Sequence, residues 1–249
     1  MSLGEKESRA LLVRHGGNEV GEGQARSGSV VEEALLAALM SAASGWWGCT
    51  ALRVELEGHG REPFSREVDV SRTVGWFTTL FPVLLEGFPG EPVAETLGLV
   101  RRRLRELPGR GLGYGLLRYL AGGGVLPRDL AAAPGVSLNY LGRVDLSLPQ
   151  GETFTLMATG VGGDRSPRGK RHHLLEVVAL VVGGRLQVTW TYSPEVHLTS
   201  TVEGLAEGLL AALAELAAAP AKHAGLGLAD EDLGELLAEL GSESGSGVG

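Results

Sequence analysis

The feature that most constrains the fold is a short alternating segment that ends in a carboxylate beside glycines. Residues 52–56 read LRVEL, and this alternation of apolar and polar side chains predicts a half-buried β-strand. Glu57 follows, and the nearby Gly58 and Gly60 can adopt backbone conformations that other residues resist and can let a substrate approach closely. The pattern predicts a carboxylate where a strand passes into a loop, which is a usual position for a catalytic group on a rigid scaffold.

Helical stripes and further strands surround this segment in the chain. Helices are predicted to begin at the capping-box pattern Ser29-Val30-Val31-Glu32, at Pro92, and at a second capping-box pattern, Ser200-Thr201-Val202-Glu203. Their apolar stripes are Val31, Leu35, Leu39 and Ala43; Val93, Leu97, Val100, Leu104 and Leu107; and Val202, Leu205, Leu209, Leu213 and Leu216. Strands are predicted over 136–141, 174–182 and 186–192, the last two joined by a Gly183-Gly184-Arg185 hairpin. Strands interleaved with helices predict an α/β layered domain.

Composition divides the chain into three parts. Residues 1–28 are rich in Gly, Glu and Arg without a clear period, which predicts a loop or a disordered segment. Residues 29–220 hold most of the predicted helices and all of the strands. Residues 221–249 predict a short helix over 231–240 and then a flexible tail.

Charge and cysteine content exclude several classes of protein. The net charge of −8 and the absence of a long block of like charge argue against a nucleic-acid binder. Cys49 is the only cysteine, so no internal disulfide is possible and a reducing compartment is expected. The N-terminus lacks an apolar signal core, and no apolar run approaches the length that spans a membrane. We therefore expect a soluble, cytoplasmic protein.

Four segments together resemble a known family. EGHGRE (57–62) and DVSRTVGWFTTLFPVLLE (69–86) are similar to the signature of epimerization domains of nonribosomal peptide synthetases, and PGRGLGYG (108–115) and LNYLGR (138–143) fit the same family in the same order. The resemblance covers roughly residues 30–216 and matches only the C-terminal lobe of a two-lobed domain. It implies the chloramphenicol-acetyltransferase-like fold, of which this chain would be the C-terminal half.

The resemblance also implies a reaction and its partners. The substrate would be an aminoacyl or peptidyl thioester on the 4'-phosphopantetheine arm of a peptidyl carrier protein, and the reaction would interconvert the L and D configurations at Cα. No metal and no diffusible cofactor of the chain's own is implied. The family's catalytic histidine lies in an HHxxxDG motif on the N-terminal lobe, so a complementary lobe is an expected partner, and this chain alone is expected to be inactive.

Epimerization requires a base at the Cα proton, and Glu57 is the predicted one. A glutamate can act as a base near neutral pH when burial raises its pKa; by residue type alone, Glu57 is more often a solvated carboxylate or a partner of Arg61. Arg61 could stabilise an enolate-like oxygen or fix Glu57 by a bidentate pair, or it could form a plain loop salt bridge. His59 is a further catalytic candidate, because a histidine could act as a base by itself. Two residues from a candidate catalytic carboxylate it is more often structural, so we interpret it as orienting its loop through hydrogen bonds.

Three other features have both a functional and a structural interpretation. Tyr140 could hydrogen-bond the thioester from its strand, or it could be a core tyrosine. The pair His172-His173 resembles half of HHxxxDG, but Val177 stands where the motif requires Asp, so we interpret the pair as structural. The run Arg101-Arg102-Arg103 is interpreted as a solvated helix face, with docking of an acidic carrier protein as the less favoured use.

The glycines of residues 111–115 do not predict a nucleotide site. A dinucleotide fingerprint needs a strand before its glycines, and here a predicted helix precedes them. We expect instead a turn that leads into a short helix over 116–120.

Two alternatives remain open besides an epimerase lobe. The first is a non-catalytic relic or interaction module that keeps the fold. The second is a condensation domain that forms amide bonds; the segment RTVGWFT (72–78) argues against it, because that segment resembles epimerization domains.

Overall fold

The computed structural model describes residues 1–15, 30–62, 68–121, 134–143 and 169–219. All of these lie in one compact unit, Met1–Ala219. The helices are α1 (Glu5–His15), α2 (Val30–Trp47), α3 (Val93–Arg105), α4 (Leu112–Tyr119) and α5 (Thr199–Ala218), with a 3-10 turn over Pro108–Gly111. The strands are β1 (Ala51–Gly58), β2 (Thr79–Glu86), β3 (Val136–Arg143), β4 (Leu175–Val182) and β5 (Arg185–Tyr192).

The strands form one mixed sheet in the order β2-β1-β3-β4-β5. The two outer pairs, β1 with β2 and β4 with β5, are antiparallel, whereas β3 runs parallel to both β1 and β4. A parallel neighbour requires a long crossover, and α3 and α4 lie between β2 and β3 in the chain. The predicted α/β class and the predicted strands are confirmed, and the apolar run after Thr78 is the edge strand β2.

A glycine pair and a proline explain two local features of the sheet. Gly183 and Gly184 both have positive φ, 56° and 73°, which suits the two-residue turn of the predicted β4–β5 hairpin. Pro82 lies in β2 opposite Glu55. Because β2 is an edge strand, a residue without an N–H donor is tolerated there.

One face of the sheet carries the core. Strand side chains alternate between this core face and an open face. The strand residues buried on the core face are Val54, Leu56, Phe81, Val83, Leu85, Val136, Leu138, Leu175, Val177, Ala179, Val181, Leu186 and Val188. Helix α2 packs against β1, α3 and α5, so it is buried on most sides, from Val31 through Ser44.

The N-terminal segment is partly helical, so the predicted loop over 1–28 is wrong for residues 5–15. Leu3 and Leu11 are buried against the core. Ser8 joins the segment to β5, because its hydroxyl donates to Leu3 O and accepts from the amide of Leu186. These contacts are tertiary, so a search for a local apolar period misses them. Residues 16–28, like the predicted helix at 231–240, lie outside the described residues.

Two helix starts also differ from their predictions. Helix α5 begins at Thr199 with Leu198 at its N-cap and no side-chain cap, so the capping box predicted from Ser200 does not form. Helix α4 begins at Leu112, four residues before the predicted start. Because Gly111 has φ 85°, the chain can turn there and enter the helix at once.

Arg101 is a further correction. Its side chain is 10% exposed and its Nε donates to Glu33 Oε2 at 2.9 Å, so Arg101 joins α3 to α2. Arg102 and Arg103 are exposed, as predicted. A single stripe of apolar residues cannot show which of three adjacent arginines lies beside an acidic residue on another helix.

Candidate functional site

Glu57 is the next-to-last residue of β1 and lies on the open face of the sheet. Val54 and Leu56 are buried on the core face, so Glu55 and Glu57 alternate to the other side. The expectation of a loop position is therefore wrong by two residues, because β1 continues to Gly58 and Glu57 pairs with Leu80 of β2. The main chain of Glu57 is fixed by the ladder, and its side chain points away from the hydrophobic core.

The surroundings of Glu57 favour its protonated form. The parallel register places Leu56 beside Leu138, and the side chain of Asn139, one residue further along β3, hydrogen-bonds Glu57. Desolvation raises the pKa of Glu57 above 4.5, the hydrogen bond from Asn139 opposes that rise, and the charge of Glu55 adds to it. The residue as a whole is exposed, so the desolvation is partial. A carboxylate with a raised pKa is a suitable general base.

The turn after β1 is built from close backbone contacts. Gly60 has φ 64°, and a Cβ added there would lie 1.7 Å from the carbonyl oxygen of Phe77. At Gly58 an added Cβ would lie 2.7 Å from Thr79 Oγ1. Gly60 therefore excludes a side chain because the segment before β2 passes directly over the turn, whereas at Gly58 the limit is the side chain of Thr79 in β2.

Arg61 anchors that segment. Its Nη1 donates to the carbonyl oxygen of Val70 at 2.5 Å, and its guanidinium lies 4.2 Å from the centre of the Phe77 ring. These contacts, to a backbone carbonyl and to an aromatic ring, differ from the loop salt bridge that was the structural alternative for Arg61. They do not aim its charge at a substrate, and no bidentate pair with Glu57 occurs among the described contacts.

His59 forms its contacts within the turn. Its Nδ1 accepts the amide N–H of Arg61 at 3.0 Å, and its Nε2 lies 3.4 Å from Glu62 Oε1. The side chains of His59 and Glu62 are 30% and 10% exposed. The second glutamate of EGHGRE is thus more buried than the first.

Tyr140 is not brought to the same face as Glu57. It pairs with Ala179 of β4, which is fully buried, and its ring packs against the hydrophobic core. The adjacent Asn139 lies on the open face. The site residue that β3 supplies beside Glu57 is therefore Asn139, which the sequence interpretation missed. The parallel register that would have identified it requires the strand order.

His173 belongs to an ionic cluster on the open face. Its Nε2 is 2.8 Å from Glu55 Oε1, and its Nδ1 is 4.0 Å from Glu176 Oε1. Arg171 approaches Glu176 at 3.6 Å. The contact between His173 and Glu55 links the segment before β4 to β1 across the intervening β3, which supports the structural interpretation for His173. Glu55 places this cluster next to Glu57 on the same strand.

A pocket of about 210 Å³ lies at the end of β1 and β2. Its lining combines apolar side chains with charges of both signs: Leu56, Phe81, Leu104, Leu107, Glu32, Glu33, Glu57, Arg105 and Arg110. Arg110 has φ 50° and follows Gly109 with φ 51°. This is a conformation that side-chain-bearing residues rarely adopt.

Two large apolar side chains of the signature segment face solvent. Val74 is 99% exposed and Trp76 is 91% exposed, whereas Phe77 between them and β2 is held by Arg61. Among the described residues, Trp76 is therefore part of neither the core nor a pocket wall.

Two other kinds of site have no candidate in the part of the chain that the structure describes. Among the described residues, no group of three or more His, Cys, Asp or Glu side chains is arranged to hold a metal ion. No helix in the described ranges is long and apolar enough to cross a membrane.

The family model named Condensation domain matches residues 3–230. The chain belongs to the condensation-domain family. It is 44% identical over 179 residues to chondramide synthase cmdD of Chondromyces crocatus and 35% identical over 183 residues to bacitracin synthase 3 of Bacillus licheniformis. The alignments cover 72% and 74% of this chain but only 4% and 3% of those proteins.

Solved structures show the same fold. The epimerization domain from the third module of tyrocidine synthetase B matches with a TM-score of 0.71 and 28% identity, over 90% of this chain and 47% of that one. The first condensation domain of the CDA synthetase matches with a TM-score of 0.54 and 18% identity, over 89% and 45%. The predicted resemblance to this superfamily of nonribosomal peptide synthetases and its chloramphenicol-acetyltransferase-like fold is confirmed. The chain described in this structure spans about half the length of these two solved chains.

The family match also accounts for the N-terminal segment. It begins at residue 3, so α1 belongs to the condensation-domain fold, although the four motifs that carry the sequence resemblance all lie between residues 57 and 143.

Proposed function

We propose that this chain is the C-terminal lobe of an epimerization domain, and that Glu57 removes the Cα proton of an aminoacyl or peptidyl thioester. The observation that carries the proposal is the position of Glu57, whose main chain is paired with Leu80 of β2 and whose pKa is raised on the open face of the sheet. The substrate would be held on the 4'-phosphopantetheine arm of a peptidyl carrier protein.

The proposed reaction needs a proton acceptor on one face of Cα and a donor on the other. Glu57 takes the Cα proton onto a carboxylate oxygen while the electron pair of the C–H bond delocalises onto the thioester oxygen. A proton returned to the opposite face then gives the inverted configuration. The complementary lobe with an HHxxxDG motif would supply that second group.

The contacts of Arg61 and Tyr140 make them weaker candidates for stabilising the thioester oxygen. The guanidinium of Arg61 is engaged with Val70 O and the Phe77 ring, and Tyr140 packs on the core face. We therefore propose Asn139 as the neighbour that orients Glu57, Arg61 and His59 as residues that hold the turn, and Tyr140 as a packing residue.

Two observations favour epimerization over condensation. The segment RTVGWFT resembles epimerization domains, and the match to the epimerization domain of tyrocidine synthetase B has a higher TM-score and identity than the match to the condensation domain of the CDA synthetase. A non-catalytic relic stays as the alternative, because the likeness of fold and motifs does not by itself require turnover.

The test is exchange of the Cα proton of a carrier-bound aminoacyl thioester in deuterated water. The chain is assayed alone and with a separately expressed N-terminal lobe from a similar enzyme. We expect exchange only in the mixture, and we expect Glu57→Gln to reduce it by about a hundredfold or more, the usual contribution of a general base. Glu86→Gln is the matched control, since Glu86 is an exposed carboxylate at the end of the neighbouring strand.

Each other outcome contradicts part of the proposal. Unchanged exchange in Glu57→Gln would remove Glu57 from the mechanism. Full exchange by the chain alone would require a second acid–base group within it. Amide formation without exchange would indicate a condensation domain, and no activity in the mixture would favour the relic.

A further inference from the structure

The turn after Glu57 contains a chain of contacts that ends at a buried carboxylate with no part in the proposed reaction. Arg61 N–H donates to His59 Nδ1 at 3.0 Å. A ring nitrogen that accepts a hydrogen bond carries no proton, so the proton of this neutral histidine lies on Nε2. Nε2 faces Glu62, whose Oε1 is 3.4 Å away.

The position of the His59 proton matters because the groups around it are buried. His59 Nε2 and both carboxylate oxygens of Glu62 are buried and form no aligned hydrogen bond with any described residue. A buried charge or a buried N–H without a partner is costly. At 3.4 Å the two groups can satisfy each other after a small rotation of either side chain, whereas the neutral Nδ1–H tautomer would leave Glu62 facing a lone pair.

The tautomer of His59 affects how the segment before β2 is held. With the proton on Nε2, Nδ1 is free to accept the Arg61 amide, which fixes the residue whose side chain binds Val70 O and covers Phe77. With the proton on Nδ1, two N–H groups would face each other and that hydrogen bond would be lost. The Phe77 carbonyl lies against Gly60, so this part of the signature segment is packed directly on the turn.

We infer that Glu62 is a positioning residue. Its carboxylate holds His59 as the Nε2–H tautomer, His59 then fixes Arg61, and Arg61 anchors the Val70–Phe77 segment at the end of the strand that carries Glu57. The tautomer itself can be tested without any assumption about the reaction. Only its link to turnover rests on the proposed function.

The direct test is nuclear magnetic resonance of the full chain labelled with ¹⁵N-histidine. Long-range ¹H–¹⁵N correlations distinguish the Nε2–H tautomer, the Nδ1–H tautomer and the charged ring. His59 is assigned as the signal that is lost in His59→Asn, a variant whose amide oxygen can still accept the Arg61 N–H. We expect a single Nε2–H tautomer in the wild type; an Nδ1–H or charged ring would overturn the inference.

Two variants of Glu62 separate positioning from general packing. Glu62→Gln keeps an oxygen acceptor for Nε2–H and should preserve the tautomer, whereas Glu62→Met is of similar length without that acceptor and should give a mixture of tautomers. Glu86→Met is the control and should leave His59 unchanged. An unchanged tautomer in a folded Glu62→Met chain would also refute the inference.

Hydrogen exchange of the Arg61 amide gives a second measurement that does not depend on Glu62→Met folding. Loss of the acceptor of this amide should accelerate its exchange up to about tenfold, a factor that corresponds to the net free energy of one hydrogen bond. We expect protection to be retained in His59→Asn and lost in His59→Phe; equal protection in both variants would show that Nδ1 is not the acceptor that matters.

The link to catalysis is measured in the two-lobe mixture. Glu62→Met should lower the turnover of Cα-proton exchange while the apparent KM stays near the wild-type value, and Glu62→Gln should restore much of the loss. A change confined to KM would contradict a positioning role. Absence of exchange in the wild type would refute the proposed function and leave the tautomer result standing.

Discussion

Gly60 offers a sharp test of how closely the signature segment is packed on the turn. Its φ of 64° costs a side-chain-bearing residue about 1–2 kcal/mol. An added Cβ would also lie 1.7 Å from the carbonyl oxygen of Phe77, and overpacking of this kind typically costs about 1–3 kcal/mol. Gly60→Ala should therefore lower the free energy of unfolding by about 2–5 kcal/mol.

Gly48 provides the matched control for this prediction. Its φ is 63°, but no atom lies within 4 Å of an added Cβ. Gly48→Ala should therefore show the backbone cost alone, about 1–2 kcal/mol. Both free energies are measured by urea unfolding of the full chain. If Gly60→Ala proved no more destabilising than Gly48→Ala, the contact between the turn and Phe77 would be refuted.

Three further predictions concern charge and exposure. Because the pKa of Glu57 is raised, the folded wild type binds the carboxyl proton of Glu57 more tightly than the unfolded chain does. Its free energy of unfolding therefore falls as pH rises from 4.5 through the folded pKa. In urea unfolding, Glu57→Gln should gain stability relative to the wild type across that pH window and show no gain below it. Arg101→Met should lower the free energy of unfolding by about 3 kcal/mol by leaving Glu33 without its partner in a mostly buried site, and a second change, Glu33→Leu, should recover most of the loss. Trp76→Ser should change that free energy by less than about 0.5 kcal/mol, whereas Phe77→Leu should lose about 0.5–1 kcal/mol of the interaction with Arg61, both measured by urea unfolding.

Local patterns were sufficient for the strands and for the division between the two faces of the sheet. Alternation over residues 52–56 predicted β1, and the same alternation places Glu57 on the face of the sheet opposite to that of the buried Leu56. The glycine pair at 183–184 predicted the hairpin because a tight two-residue turn needs positive φ. These features depend on neighbours in the chain, so the sequence alone carries them.

The remaining features depend on which strands are neighbours. Asn139 reaches Glu57 only because β3 runs parallel beside β1, and the sequence does not state that order. Arg101 and Glu33 are 68 residues apart, and the N-terminal helix is held through Leu186 of the last strand. Side-chain roles that depend on contacts across such separations were therefore missed or assigned to the wrong alternative.

The two faces of the sheet separate stability from chemistry in this fold. The core face is filled by aliphatic side chains and by α2, so a polar group such as Tyr140 on that side is committed to packing. On the open face, Glu55 Oε1 contacts His173 Nε2 at 2.8 Å, and Glu57 is the carboxylate beside Asn139. Glu57 is only partly removed from water in this chain, and this partial desolvation limits how far its pKa is raised. In the proposed reaction, a complementary lobe over the open face would exclude more water and raise that pKa further, and it would also supply the proton donor across Cα from Glu57. Completion of the base and completion of the two-sided reaction would thus come from the same contact.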